Sequence, residues 1–365
     1  MRIAVWNTAF LGDAVLTLPL VQALRCAWPQ AGIDLYVRSG LRSLFKEQTS
    51  ITNVYEISRK DRTARGMLRL LRIIGARKYD VWISAHLSPR SSLVALSSGA
   101  PMRIGYAHAW HRNAAYTHTV DRAFDKQDEI ERLLALLRPL NDMARIQLEQ
   151  SRPLGWSETS WSTDWPPAWP DVWPEVECDP HIVSDIKAAR QELPPGPVLG
   201  MHPGSVWGTK RWTPQGFAHI ARKAVDAGAV LVLFAGSGEG SMSEEVLTLA
   251  GLKQHPRVLN LSESLSLPQL TVWLRQLDCY LTNDSGPMHL AWMQKVPVVA
   301  VFGPTVRELG FFPRGDSEVV ETTLPLPCRP CGLHGPQECP RGDHACMAGI
   351  DPETVWKAVS SRLFG

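Results

Sequence analysis

The segment Leu11-Gly12-Asp13 follows the first apolar run and contains the first side chain that could do acid–base chemistry. Gly12 permits a tight turn, and Asp13 stands where a helical pattern begins. The carboxylate either faces a ligand site beyond the strand end or is only the N-cap of the helix, which is a common use of aspartate. The dinucleotide pattern G-x-G-x-x-G is absent because Gly12 stands alone, and this argues against a nicotinamide enzyme.

A second motif, HPGSVWGTKRW, predicts a phosphate or diphosphate site. Its small-residue turn at Ser205 exposes backbone N–H groups, and the cations Lys210 and Arg211 follow within one short loop. A capped turn with a solvated cation pair is the alternative. In GSGEG, Glu239 adds a possible ribose contact.

A third motif, TNDSGPMH, has the small and polar composition of an anion cradle at a helix N-terminus. Its candidate ligand-binding residues are Asn283, Asp284, Ser285, Gly286 and His289. A carboxylate at Asp284 does not suit a purely anionic ligand. We therefore expect it to accept hydrogen bonds from the hydroxyls of a phosphorylated sugar or ribose. His289 could instead be a helix histidine with no ligand.

The motifs follow short apolar runs that alternate with helical patterns, which predicts βαβ units and parallel sheets. Predicted strands cover residues 3–6, 33–37, 53–57, 81–84 and 103–106, then 198–201, 230–235, 258–261, 280–282 and 298–302. The sequence thus predicts an α/β protein with two Rossmann-like doubly wound domains, at residues 1–150 and 198–350. A helix at 351–365 closes the chain.

Residues 151–197 interrupt this rhythm and are predicted to be an interdomain linker. They combine many prolines with Trp156, Trp161, Trp165, Trp169 and Trp173. Proline at this density should forbid regular helix and stiffen the chain. The tryptophans are expected to pack on a domain surface, although an acceptor platform or a membrane anchor is an alternative.

Charge is distributed unevenly, with 21 Lys and Arg against 13 Asp and Glu in residues 1–150, and 17 against 23 in the rest. The basic half suggests a polyanionic partner such as nucleic acid or an anionic membrane, and random variation between the surfaces of the two domains is the alternative. Asp13 interrupts the opening apolar stretch, and no run approaches the roughly 20 apolar residues of a spanning helix. We expect a soluble cytoplasmic protein, at most peripheral to a membrane.

Four cysteines lie close together near the C-terminus: Cys328, Cys331, Cys339 and Cys346. Four thiolates are sufficient for a structural zinc ion, while redox-labile disulfides and free thiols are the alternatives. The four cysteines are not part of any of the ligand motifs that follow predicted strands. We therefore expect it to have no part in catalysis.

The chain resembles the bacterial heptosyltransferases of glycosyltransferase family 9, which move heptose from ADP-heptose to the inner core of lipopolysaccharide. The resemblance is carried by LGDAVLTLPLVQALR, RSSLVALSSGAPMRIGY, HPGSVWGTKRWTPQGFAHIA, LTNDSGPMHLAWMQKVPVVAVFGPT and DPETVWKAV. It implies a GT-B architecture, in which two domains face each other across a cleft. The first domain would bind the acceptor, and the second would bind the nucleotide sugar. Transfer would be inverting and need no catalytic metal. Relatives often have His beside Glu where this chain has Asp128-Glu129.

Under this resemblance Asp13 is the general base, Lys210 contacts the donor diphosphate, and the residues around Asp284 hold the donor sugar. The basic residues Arg59, Lys60 and Arg62 would meet the anionic lipopolysaccharide core, and the neighbouring cations would meet the membrane leaflet that carries it. Nucleic acid is then no longer an expected partner. The alternatives are a GT-B transferase with another nucleotide sugar or glycan acceptor, and a non-catalytic nucleotide-sugar-binding protein.

Overall fold

The computed structural model describes residues 1–107, 114–124, 126–143 and 175–365. The chain divides into two compact units, Met1–Glu177 and Cys178–Gly365, and each is described by itself. Their boundary falls within the predicted linker. The five linker tryptophans lie outside the described residues, so their predicted packing stays a prediction.

The first unit contains a six-stranded sheet in which neighbouring strands are parallel. Its strands are β1 Arg2–Asn7, β2 Gly32–Arg38, β3 Asn53–Ile57, β4 Val81–Ser84, β5 Met102–Tyr106 and β6 His118–Val120. Their order is β3-β2-β1-β4-β5-β6, which is the doubly wound order. The strand order reverses between β1 and β4, so a ligand is expected beyond the carboxyl ends of these two strands.

The described helices of the first unit are α1 Leu11–Leu16, α2 Leu18–Ala27, α3 Arg42–Phe45, α4 Ala64–Ala76, α5 Pro89–Ser97 and α6 Glu129–Ala135, with 3₁₀ turns at Lys60–Arg62 and Arg138–Leu140. One continuous helical pattern over residues 15–28 is interrupted at Thr17. Its hydroxyl donates to the carbonyl of Asp13 at 2.8 Å, and Pro19 cannot donate a backbone bond to the preceding turn. A short α1 therefore presents Asp13 separately from α2.

The second unit repeats the topology of the first. Its strands are β7 Val198–His202, β8 Val230–Leu233, β9 Val258–Asn260, β10 Cys279–Asn283, β11 Val298–Phe302 and β12 Ser317–Glu321. Their order is β12-β11-β10-β7-β8-β9, again parallel, and the order reverses between β7 and β10. The two strand ends that carry the second and third motifs are thus neighbours.

Seven α-helices of the second unit are described: α7 Pro180–Gln191, α8 Pro214–Asp226, α9 Gly240–Ala250, α10 Leu267–Leu274, α11 Gly286–Met293, α12 Ala345–Ala348 and α13 Pro352–Leu363, with 3₁₀ turns at Gly208–Lys210 and Arg307–Leu309. Helix α13 packs into the core of this unit through buried Val355, Val359 and Leu363.

Helix α7 contradicts the expectation that the linker contains no regular helix. Asp179 caps it by accepting from the amide of His181, and Pro180 occupies the first turn. A proline there is tolerated because the first-turn N–H groups have no helical partner anyway. Pro194, Pro195 and Pro197 follow the helix and do not interrupt it, and the prolines of this stretch before Glu175 lie outside the described residues.

The two parallel sheets confirm the predicted α/β class with two Rossmann-like doubly wound domains. Strand residues such as Ile3–Val5 and Val298–Val301 are fully buried, as expected for parallel strands covered on both faces. Among the described residues, no helix is long and apolar enough to cross a membrane.

Candidate functional site

Asp13 lies in the first turn of α1, directly beyond the carboxyl end of β1. The N-cap of α1 is Phe10 and not Asp13, so the capping interpretation is wrong for this residue. Its main-chain carbonyl accepts from Asn7 Nδ2 at 3.0 Å and from Thr17 Oγ1 at 2.8 Å. The half-buried carboxylate is therefore carried on a fixed backbone at the switch point of the first sheet.

Beside Asp13 lies a buried charge network that sequence reasoning did not assign. Glu129, the first residue of α6, is 3% exposed and accepts from Arg122 Nη2 at 3.2 Å and from Arg132 Nη1 at 3.1 Å. Burial raises the pKa of Glu129, Asp13 raises it further, and the two arginines oppose the rise. The carboxylate of Glu129 thus lies within electrostatic reach of Asp13.

His86 also reaches the switch point of the first sheet, because it follows β4. Its Nδ1 lies 3.1 Å from the hydroxyl of Thr8, which follows β1. The sequence contained a signal for this residue, since polar groups after adjacent strand ends meet at one edge. It was not identified because no motif surrounds it.

The predicted acceptor residues Arg59, Lys60 and Arg62 follow β3, at the same sheet edge as Asp13. Arg59 and Lys60 are exposed, and Lys60–Arg62 forms a 3₁₀ turn. The side chain of Arg62 lies outside what the structure describes. Since β3 is two strands from β1, this turn begins about 10 Å along the edge from the residues that precede Asp13.

In the second unit, the structure brings Lys210 and Asp284 together. Lys210 Nζ lies 2.5 Å from Asp284 Oδ2, which also accepts from Thr305 Oγ1 at 2.6 Å. Lys210 and Asp284 are only 7% and 4% exposed. A buried ammonium with its counter-charge is thus held beyond the ends of β7 and β10.

Asn283 joins the second and third motifs through its amide group. Its Nδ2 donates to the carbonyls of Pro203 and Gly204 at 2.8 and 3.2 Å, and its Oδ1 accepts from the amide of Trp212 at 2.9 Å. Asn283 is fully buried. It therefore organises the backbone of the site and is not placed to bind a ligand directly.

Glu239 is positioned by its neighbours in the second unit. Its Oε2 lies 3.2 Å from His202 Nε2 and accepts from the amide of Gly236 at 3.0 Å. Burial raises the pKa of Glu239, but His202, the amide of Gly236 and Arg211 outweigh that effect and lower it overall. A methyl group at Gly204 would lie 2.6 Å from Glu239 Oε2, so any larger residue here would displace the Glu239 carboxylate from this position. The result is an ionised carboxylate at the sheet edge, suited to ligand hydroxyls.

His289 is 5% exposed and lies in α11. Its Nδ1 accepts from Trp292 Nε1 at 3.2 Å. Burial lowers the pKa of His289 to about 4, Asp284 opposes the shift and Lys210 adds to it. The ring is therefore neutral at pH 7, within electrostatic reach of the Lys210–Asp284 pair.

The remaining predicted donor residues lie around the same two strand ends. Ser205 is buried, and its carbonyl accepts from Arg211 Nε at 2.9 Å. Ser285 is the N-cap residue of α11, and Gly286 is the first residue of that helix. The side chain of Ser285 makes no capping bond and instead lies 3.2 Å from Thr282 Oγ1.

The cysteine-rich segment 328–346 contacts the loop that carries Lys210, which corrects the expectation that it belongs to no strand-end site. His344 Nε2 lies 2.7 Å from the carbonyl of Thr209, and Thr209 Oγ1 donates to the carbonyl of Pro336 at 2.6 Å. The rings of Trp207 and His334 are parallel, with centroids 5.8 Å apart. The prediction failed because these contacts join residues more than 120 positions apart.

The same segment also supports the turn after β11 that contains Thr305. Arg329 donates to the carbonyls of Gly303 and Thr305 at 2.6 and 3.2 Å, and the amide of Cys331 donates to Pro304. Thr305 in turn holds Asp284. Both partners of the Lys210–Asp284 pair thus depend on segment 328–346.

The four cysteines of this segment are free thiols in the structure. Burial raises the pKa of Cys346 to about 11, and Cys331, Cys339 and Cys328 all act on it electrostatically, so they lie near one another. Cys331 Sγ lies 3.0 Å from the carbonyl of Cys328. Within the described ranges, no three His, Cys, Asp or Glu side chains are arranged to hold a metal ion.

Comparison with known proteins places these features in one family. The chain is 33% identical over 168 residues to lipooligosaccharide heptosyltransferase 2 of Campylobacter jejuni, which covers 46% of this chain and 51% of that relative. The chain thus spans about half the length of this relative. It is 25% identical over 316 residues to lipopolysaccharide heptosyltransferase 2 of Escherichia coli, covering 84% and 83% of the two chains.

The solved structure of E. coli ADP-heptose lipopolysaccharide heptosyltransferase II matches with a TM-score of 0.74 and 22% identity, over 100% of this chain and 98% of that one. This likeness shows the shared GT-B fold. The family model of glycosyltransferase family 9 (heptosyltransferase) matches residues 67–332, which is most of the chain. The chain belongs to glycosyltransferase family 9, the heptosyltransferase family.

Proposed function

We propose that the protein transfers heptose from ADP-heptose to the inner core of lipopolysaccharide, with inversion at the anomeric carbon. The observation that carries the proposal is the buried Lys210–Asp284 pair beyond the ends of β7 and β10. An ammonium at a switch point, beside the N-terminus of α11, suits the diphosphate of a nucleotide sugar. The relatives named heptosyltransferase 2 support heptose as the transferred sugar.

In this proposal Asp13 is the general base. Its carboxylate takes the proton of the acceptor hydroxyl while the hydroxyl oxygen bonds to the anomeric carbon of heptose. The bond from that carbon to the diphosphate oxygen breaks, and its electron pair leaves with ADP. Lys210, Arg211 and the N-terminus of α11 offset the negative charge that grows on the departing diphosphate.

The remaining polar residues contact the two substrates. The ionised Glu239 accepts hydrogen bonds from the ribose hydroxyls of ADP. Ser205, Ser285 and Gly286 contribute to the phosphate and sugar cradle. Arg59, Lys60 and Arg62 meet the carboxylates and phosphates of the core acceptor, and the protein works at the cytoplasmic face of the inner membrane.

No catalytic cofactor is part of the proposal. The cysteines Cys328, Cys331, Cys339 and Cys346 are proposed to hold a structural zinc ion. Because they are not arranged as a metal site, their side chains would have to reorient when zinc binds. The ion would fix segment 328–346 and supply no chemistry to transfer.

The function is tested by incubating the purified protein with ADP-heptose and a panel of truncated lipopolysaccharide core acceptors, and reading products by mass. We expect heptose addition to one acceptor together with release of ADP. Product only from another nucleotide sugar would overturn the donor assignment. Tight ADP-heptose binding with no product from any acceptor would support a binding protein instead.

A further inference from the structure

The outward face of α4 combines arginines with apolar side chains. Arg65, Leu68, Arg69, Arg72 and Ile73 are all exposed, and their spacing of three, four and seven residues places them on one side of the helix. Leu68 and Ile73 are 58% and 41% exposed. A surface helix normally presents mixed polar residues on this side, so two large apolar residues among three arginines are unusual.

Helix α5 continues this surface. Leu93 and Leu96 are 46% and 54% exposed and lie on its outward side. The inward sides of α4 and α5 pack into one hydrophobic cluster on the same face of the first sheet, through Leu70, Ile74, Val94 and Ala95. The two helices therefore lie side by side over that face.

The contact between the two helices is close. A methyl group at Gly75 would lie 3.0 Å from the carbonyl oxygen of Ser97. This places Ile73 and Leu96, each within two residues of the contact, on the outer surface near the helix junction. We call the outward faces of α4 and α5, defined by Arg65, Leu68, Arg69, Arg72, Ile73, Leu93 and Leu96, the α4/α5 surface.

The charge of this region is strongly positive. Residues 59–103 contain ten Lys and Arg and only two acidic residues, Asp61 and Asp80. Asp61 accepts from the backbone and hydroxyl of Ser58, and Asp80 accepts from the amide of Arg2. In the part of the chain that the structure describes, the three arginines of the α4/α5 surface have no ion-pair partner.

We propose that the α4/α5 surface binds an anionic lipid bilayer, with the leucines and Ile73 entering the headgroup–acyl boundary and the arginines contacting lipid phosphates. Such a boundary offers negative charge and apolar depth together, and long arginine side chains reach headgroups while their stems lie on apolar surface. Nucleic acid would match the charge but leave the leucines without a partner. With 13 residues, α4 would lie along about 20 Å of membrane.

The inference rests on the proposed function only for the identity of the membrane, because lipid binding is a property of the surface itself. Each basic residue near an anionic surface strengthens binding about fivefold. Loss of three arginines should therefore weaken binding about a hundredfold, and more if their charge is reversed. Binding through such a surface, without a covalent lipid, should also be reversible and salt-sensitive.

The test is co-sedimentation of the full chain with vesicles of phosphatidylcholine, with and without phosphatidylglycerol. We expect the wild-type protein to bind only the vesicles that contain phosphatidylglycerol, and we expect salt to release it. The variant R65E/R69E/R72E should lose this binding, and L68S/L96S should bind more weakly. The control L249S/K187E removes one exposed leucine and reverses one exposed lysine of the second unit, and it should bind as wild type. Circular dichroism of each variant shows that it is folded.

Wild-type binding that does not distinguish the two vesicles, or unchanged binding of R65E/R69E/R72E, would overturn the inference. An α4/α5 surface that binds neither kind of vesicle but binds a protein partner would also overturn the inference. Heptose transfer to a short soluble acceptor is measured in parallel. If transfer fails while vesicle binding follows the pattern above, the proposed function is wrong and the lipid surface stands.

Discussion

The imidazole of His344 lies 2.7 Å from the carbonyl oxygen of Thr209, the residue before Lys210. The backbone of His344 is left-handed, with φ of 48°, a conformation that costs an L-residue about 1 kcal/mol. Its position is therefore determined by its contacts and not by local preference. His344 is a positioning residue that links the cysteine-rich segment to the loop of the Lys210–Asp284 pair.

His344→Asn should weaken ADP binding about fivefold, because one hydrogen bond that holds the Lys210 loop is worth about 1 kcal/mol. Asparagine tolerates the left-handed backbone but is too short to maintain the bond. Titration calorimetry with ADP measures the effect. His219→Asn, which changes a partly exposed histidine paired with Glu353, is the control. A lower melting temperature with unchanged ADP affinity would mean that His344 is only structural.

Lys210→Met should destabilise the protein by about 3 kcal/mol, because it leaves the buried carboxylate of Asp284 without its counter-charge. The double variant Lys210→Met/Asp284→Asn should recover most of that loss, since both charges are gone. Urea denaturation measures the free energy of unfolding. Both variants should lose ADP affinity, because the double variant restores stability and not the ammonium.

This pair of variants separates two roles of one lysine. A double variant that binds ADP as wild type would remove Lys210 from the diphosphate site. A double variant as unstable as Lys210→Met would mean that the stability comes from contacts other than the ion pair.

Asp13→Asn should lower kcat by about 100-fold or more, the usual contribution of a general base, and leave ADP affinity essentially unchanged. The amide has nearly the shape of the carboxylate but cannot accept the hydroxyl proton. Product formation and ADP calorimetry are read on the same preparation. Glu47→Gln changes an exposed carboxylate of the same unit and serves as the control. Equal loss of turnover and ADP binding would contradict the assignment.

The stability of the protein should fall between pH 6.5 and 4 because of His289. Burial lowers its pKa from 6.5 to about 4 in the folded protein, so the unfolded chain binds a proton first as the pH falls. The neutral ring contributes its full stabilisation above pH 6.5, and up to about 3 kcal/mol is lost by pH 4. The free energies of unfolding of wild type and of His289→Gln should therefore converge or cross as the pH is lowered. A constant difference would show that His289 does not titrate this way.

Much of the fold could be predicted from the sequence because parallel strands buried on both faces appear as continuous apolar runs. The buried strands Val81–Ser84 and Val298–Phe302 have the predicted bounds, and so does Asn53–Ile57, an edge strand. The edge strands β6 and β12 were missed, because an edge strand has one neighbour and tolerates polar residues. Ser317–Glu321 contains two glutamates and a serine in five positions.

The site was predictable only as far as local motifs extend. Lys210 and Asp284 each follow a strand end, and parallel topology brings those ends together. Thr305 and His344 complete the arrangement from elsewhere in the chain, and no local pattern marks them. Glu129 was noticed only through the family resemblance and was given no role, because its burial depends on the packing of α6 near Asp13.

The zinc proposal makes a prediction about the site as well as about the metal. Protein purified without added zinc should carry close to one zinc ion per chain, measured by elemental analysis. Cys328→Ser/Cys331→Ser should lose the ion and also weaken ADP binding, because segment 328–346 holds Thr209 and Thr305. Cys26→Ser, at a cysteine of the first unit, should change neither. A zinc content near zero in the wild-type protein would contradict the metal proposal. Weaker ADP binding in the double serine variant would then still show that this segment supports the donor loop.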